Sequence, residues 1–158
     1  MTVEGIPMST VAVPKSPPLT PQPLEAPIPP LENGDHLTRE EFERRYDAMP
    51  HLKKAELIEG VVYMGSPVSL KHHGKPHSCL IGWLDRYVEA TPRVDLAADG
   101  SVRLDPDNMP QPDAFLYIAP EAGGRGRVSE DDFFEGAPEL VAEAASSSAS
   151  YDLHEKLK

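Results

Sequence analysis

Prolines divide the chain in two. It has 18 prolines in 158 residues, and nine of them fall before residue 37, including Pro17-Pro18 and Pro29-Pro30. Each proline fixes φ and removes a backbone donor, which closes helix interiors and central strands to so dense a run. No hydrophobic periodicity survives between them, and such a stretch cannot bury enough apolar surface to offset its ordering entropy. Residues 1–36 therefore read as a disordered arm with some polyproline II character. Residues 37–158 read as one domain.

Periodic pattern begins at Leu37. Thr38 with Glu41 three residues on forms a capping box, and Leu37 with Phe42 forms the accompanying staple. The spacing predicts a helix to about Met49, with Phe42, Tyr46 and Met49 turned inward and Pro50 as its stop. Ala55–Ile58, Glu59-Gly60 and Val61–Met64 then read as strand, tight turn and strand. After a loop rich in Pro, Ser and His, the residues Leu80, Ile81, Leu84, Tyr87 and Val88 recur at helical spacing. They predict a second helix over 76–90, with Cys79 in its core. Strands are expected near 93–98, 101–105 and 113–118, then a flexible glycine-rich loop at Gly123–Arg127 and an apolar strand at Leu140–Ala145. Ser146–Ser148 would cap a final helix from about Ala149. The order of elements implies an α/β or α+β fold, a mixed β-sheet flanked by helices.

Bulk properties exclude several classes. The formal charge is −11, from 15 basic and 26 acidic side chains. Such a balance repels nucleic acid, so any contact with it needs a local counterweight. A single cysteine rules out an internal disulfide framework and suits a reducing cytoplasm. No apolar run is long enough for a membrane span, and no signal peptide is evident. The expected location is cytoplasmic.

Glu143 is the most informative single residue. It interrupts Leu140–Ala145, which otherwise reads as a strand buried on both faces. A carboxylate buried there without a partner would cost several kcal/mol or protonate. Its presence calls for an arginine such as Arg103, a metal ion, or exposure at a sheet edge. Asp113 follows Gln111-Pro112 and opens a strand, a position often explained by turn chemistry alone. On adjacent strands, however, Asp113 and Glu143 could converge, and paired carboxylate oxygens suit magnesium or manganese. Glu56 shares a strand face with Ile58 and is a candidate third acid, whereas Glu59 reads as a solvated turn residue. Lys156, four residues after Asp152, has the ordinary reading of an exposed helical ion pair. His73 and His77 are spaced i,i+4 and lie close to His72, but no full set of four zinc ligands accompanies them. They read as a polar loop and helix cap, from which one imidazole could orient a phosphate or a water. Arg125 and Arg127 lack the strand–loop–helix context of a phosphate loop.

In sequence order, several segments match a known pattern. They are Leu37–Phe42, Glu56–Gly60, Ser66-Pro67 with His72-His73, Arg103–Asp105, Gln111-Pro112-Asp113, Glu135–Glu143 and Asp152–Leu157. Together they resemble the Uma-type family of restriction endonucleases, within the PD-(D/E)XK nuclease superfamily. The resemblance implies a restriction-endonuclease-like sheet with its acids gathered at one edge. It assigns Asp113 and Glu143 as ligands of a divalent metal, Mg or Mn, and Glu56 as an upstream glutamate. The superfamily lysine normally lies two residues after the second acid, where this chain has Ala145, so the resemblance assigns Lys156 from the following helix. The implied activity is metal-assisted hydrolysis of nucleic acid, DNA in the first instance, with a homodimer as the simplest way to cut both strands. The alternative is an inactive nuclease fold that serves as a binding or regulatory module. Relatives continue beyond the position of Lys156, so the domain is expected to be truncated at its C-terminus.

Overall fold

A computed structural model describes residues 26–65 and 67–144. Helix α1 spans Arg39–Asp47, and the Thr38 side chain caps it by accepting from the Glu41 amide at 3.4 Å, as the capping box requires. Glu40 and Glu41 occupy its first turn and Arg44 and Arg45 its last, an order that complements the helix dipole. Hydrogen bonds from Arg44 and Arg45 hold the Glu41 carboxyl down at about 2.

Strands β1 (Ala55–Ile58) and β2 (Val61–Met64) form an antiparallel hairpin. Its two turn residues, Glu59 and Gly60, have φ of 51° and 75°. Positive φ at both positions is the type I′ signature that matches strand twist. Glycine adopts this without strain; Glu59 is held by donating its amide to Asn108 Oδ1 at 2.8 Å. Helix α1 packs on the hairpin around Phe42, Leu57 and Val62, with Leu31 and Met109 completing the cluster.

Leu31 lies in the stretch expected to be a disordered arm. Instead it is buried, the Gly34 amide donates to Val62 O at 2.8 Å, and His36 bridges Val61. These residues order because they cover the open edge of β2, a gain invisible to local composition. Residues 1–25 lie outside the described part of the chain.

A π-helical turn, Leu70–Gly74, leads into α2 (Lys75–Ala90), so His72 and His73 sit on a helical turn rather than a loop. Strands β3 (Val94–Ala98), β5 (Ala114–Ile118) and β8 (Leu140–Ala142) form an antiparallel sheet in the order β3-β5-β8. The period-two alternation of β5 divides its contacts. Ala114 and Leu116 face α2, where Leu84, Leu80, Ile81 and Val88 pack, while Phe115 packs with Val102 and Phe134 on the other side. Tyr87 and Cys79, both expected inside, are exposed because α2 buries only one stripe. A third small sheet joins β4 (Val102–Arg103), β7 (Phe134–Glu135) and β6 (Arg127–Val128), with β4 and β7 parallel. The architecture is the mixed α+β fold expected, with the strands of the described residues divided among three small sheets.

Two further expectations are corrected. The last strand ends at Ala142 and lies at a sheet edge, with Leu140 40% and Val141 42% exposed. It pairs only with β5 among the described residues, so an apolar sequence here does not mean burial on both faces. The glycine-rich loop is packed rather than free. A Cβ at Gly124 would stand 1.8 Å from Ile118 O, so the backbone approaches too closely for any side chain.

Candidate functional site

The site gathers around Asp113. Pro112 precedes it and β5 follows, so its backbone is fixed on both sides, and the side chain is only 3% exposed. One carboxylate oxygen, Oδ2, accepts from the Ala144 amide at 2.8 Å. That bond crosses from the start of β5 to the residues just after β8. The other, Oδ1, faces Lys54 Nζ at 3.8 Å and His73 Nε2 at 3.7 Å. A buried carboxylate is tolerable only with such donors and opposing charge.

The histidines approach from the start of α2. A carbonyl can only accept, so the 2.8 Å contact of His73 Nδ1 with Ala144 O makes Nδ1 the protonated nitrogen. In the neutral ring, Nε2 is then a lone pair aimed toward Asp113. His77 Nε2–H likewise donates to Asp113 O at 3.1 Å, and the two rings stack with centroids 5.7 Å apart. Both imidazoles are thus held by main-chain carbonyls at the ends of β5 and β8, Asp113 just before one and Ala144 just after the other.

Glu56 is the second buried acid, 7% exposed on β1. Its Oε1 accepts from the Gln111 amide at 2.8 Å, which ties the hairpin to the segment leading into Asp113. Glu143 lies directly after β8, half-buried, one residue before the amide that Asp113 binds. Among the described residues β8 is a sheet edge, so Glu143 follows an edge strand rather than one buried on both faces. Arg103 instead pairs with Glu43, Asp131 and Glu135 and covers Phe133, and its bonds to Asp131 and then Glu43 push its pKa up. Lys156, with Asp152 and the helix expected from Ala149, lies outside the described residues. Arg125 and Arg127 are engaged by Glu139 and Glu135.

Sequence reasoning missed Lys54 and Asp99. Nothing local marks Lys54; only the bonds that tie β1 to Met109 and Gln111, in the segment leading into β5, bring it to the acid. Asp99 reads as half of an Asp-Gly turn, yet the β3–β5 pairing runs Ala98↔Ala114, and Asp99 donates its amide to Asp113 O at 3.3 Å. Continuing that register puts the two aspartates opposite each other. A correct strand pairing would have found it.

The donor set suits a divalent cation. Ligand atoms of His77, Asp99 and Asp113 lie within 4.8 Å of one another, about the span across an ion with bonds of roughly 2.2 Å. Gln111 Oε1, on the residue whose Nε2 donates to Asp99 O at 2.7 Å, is buried without a hydrogen-bond partner among the described residues. A buried acceptor left unpaired is relieved by a hydrogen-bonding water or a cation.

A family model described as "Uma2: Putative restriction endonuclease" matches residues 39–158. The chain belongs to this family. The match covers the hairpin, the Asp113 segment and the β8 segment that make up the site. Among solved structures, one similar chain is a putative nuclease belonging to DUF820 from Anabaena variabilis. It is 16% identical, with a TM-score of 0.49, and the alignment covers 70% of this chain and 63% of that one. The present chain thus spans less than two thirds of that relative's length. No curated protein matches. No helix among the described residues is long and apolar enough to cross a membrane.

Proposed function

We propose that this Uma2-family chain is a divalent-cation-dependent endonuclease that hydrolyses phosphodiester bonds of DNA. The observation that carries the proposal is the buried Asp113 carboxylate, anchored by one oxygen to the Ala144 amide while the other faces Lys54 and His73. In this reading Asp113 and Glu143 hold Mg²⁺ or Mn²⁺, and Asp113 is pre-oriented by its bond across the sheet. The cation supplies charge neutralisation at the phosphate and acidifies the attacking water. Glu56, fixed by the Gln111 amide, accepts a proton or orients that water.

A lysine is needed to stabilise negative charge as it builds on the phosphate. The family resemblance assigns Lys156 to that role. Lys54 offers a second source, since its ammonium already stands beside Asp113 and its side chain remains 32% exposed toward incoming substrate. The net charge of −11 opposes DNA approach, so a bound cation, Lys54 and the imidazoles act as the local counterweight. Cutting both strands of a duplex calls for two copies of the chain.

The test is calorimetry with Mg²⁺ and Mn²⁺ on the wild type and on Asp113→Ala with Glu143→Ala, followed by cleavage of supercoiled plasmid. Binding and cleavage that both vanish in the double variant support the proposal. Folded wild-type protein that binds neither ion would sink it. Binding without cleavage would favour a nuclease fold serving as a binding module.

A further inference from the structure

We propose that His77 and Asp99 complete the ligand sphere of the cation on Asp113, so that the site carries a nitrogen donor and selects Mn²⁺ over Mg²⁺. The inference rests on the cation-dependent reading above and extends it to two residues that the Asp113–Glu143 assignment leaves out.

Three observations support it. First, just past the last β3–β5 pair, Ala98↔Ala114, the Asp99 amide donates to Asp113 O at 3.3 Å, which holds the two aspartates at the same end of the ladder. Asp99 is held there at φ 54°, in the left-handed region that aspartate tolerates better than most residues. Second, His77 in the first turn of α2 brings a ring nitrogen within 4.8 Å of both carboxylates. Ligating histidines commonly donate their other N–H to a main-chain carbonyl, which fixes tautomer and ring orientation. His77 Nε2 has a partner of this kind in Asp113 O at 3.1 Å, so the ligating nitrogen in this proposal is Nδ1. Third, the buried acceptor Gln111 Oε1 is without a hydrogen-bond partner among the described residues, and its amide nitrogen is bound to Asp99 O. The lead-in to the site thus carries more acceptors than the described side chains satisfy.

The chemistry of the set then decides the ion. Mg²⁺ demands oxygen ligands in near-ideal octahedral geometry and keeps several waters, so an imidazole adds little to its affinity. Mn²⁺ is the weakest binder of the first-row series, yet as a transition ion it accepts an imidazole nitrogen more readily than Mg²⁺ does. Between these two ions, a His–Asp–Asp set with two carboxylates to neutralise the charge therefore favours Mn²⁺.

The test uses Mn²⁺ and Mg²⁺ chlorides with the full chain. His77→Gln keeps an amide donor for Asp113 O, and Asp99→Asn keeps a residue at ease with positive φ, so both variants are built to fold, which circular dichroism verifies. Calorimetry is expected to show Mn²⁺ affinity falling by about 10-fold or more in each, while Mg²⁺ affinity changes by less than about threefold in His77→Gln. Pulsed electron paramagnetic resonance of bound Mn²⁺ is expected to show ¹⁴N coupling that disappears in His77→Gln. If Mn²⁺ binds the wild type, is lost in Asp113→Asn and shows no ¹⁴N coupling, this inference fails while the Asp113-centred site stands. Coupling that persists in His77→Gln and vanishes in His73→Gln would overturn the assignment to His77. If Mn²⁺ does not bind at all, both readings fail together.

Discussion

Replacing Asp113 in two ways separates what its carboxylate does for folding from what it does for a cation. Asp113→Ala removes the acceptor of the Ala144 amide, a 2.8 Å bond between buried groups. A buried N–H left unpaired costs about 1–3 kcal/mol. The opposing charge on Lys54 stands at 3.8 Å and Lys54 is 32% exposed, while His73 Nε2 lies at 3.7 Å, so losing these contacts adds little. An ion pair at this distance with its cation partly in water contributes about 0–1 kcal/mol. Asp113→Asn keeps an oxygen for the Ala144 amide and removes the charge, so its stability is expected within about 1 kcal/mol of wild type. For a domain of this size, 1 kcal/mol corresponds to about 4 °C in Tm. Asn should therefore melt near the wild type and Ala several degrees lower. With Mn²⁺ at about 100 times its Kd, the wild type gains about 2.7 kcal/mol. Both variants should lose that gain, because an amide oxygen carries no charge for the ion. Thermal melts with and without Mn²⁺, with calorimetry alongside, read every term. The reasoning is refuted if Asn retains wild-type Mn²⁺ stabilisation, or if Ala is no less stable than Asn.

Three other substitutions probe the remaining claims. Lys54→Met should lower plasmid cleavage by on the order of 100-fold while leaving circular dichroism unchanged, and an unaltered rate would remove Lys54 from the reaction. Gly124→Ala must displace backbone, because its Cβ would stand 1.8 Å from Ile118 O; urea denaturation should show a loss of about 1–3 kcal/mol, and a neutral result would refute the close packing of this loop. The Glu139 carboxyl is held below its ordinary value near 4.5, first by the Ile118 amide and then by Arg125. A depressed folded pKa means its stabilisation is fully present above the ordinary value and fades as pH falls through the lowered one. Glu139→Gln should thus melt below the wild type at neutral pH, with the gap closing under acid, and a gap independent of pH would count against the charge-assisted bonds.

Much of this protein is legible locally. The Thr38 cap, the Glu59-Gly60 turn, the apolar stripe of α2 and the proline-bounded start of β5 follow from backbone sterics, capping and periodicity, all set by residues within a turn or two. The same holds for Asp113 and Glu56 as carboxylates on or beside strands. What the sequence could not contain is which strand lies beside which, because pairing is decided by burial summed over distant segments. That choice made β8 an edge and so left Leu140 and Val141 exposed. It recruited Leu31 out of a proline-rich stretch to cover the hairpin. It also carried Lys54 from before β1, His73 and His77 from the start of α2, and Asp99 from the β3 turn to one buried carboxylate. Local chemistry named the acid, and long-range packing chose the groups that surround it.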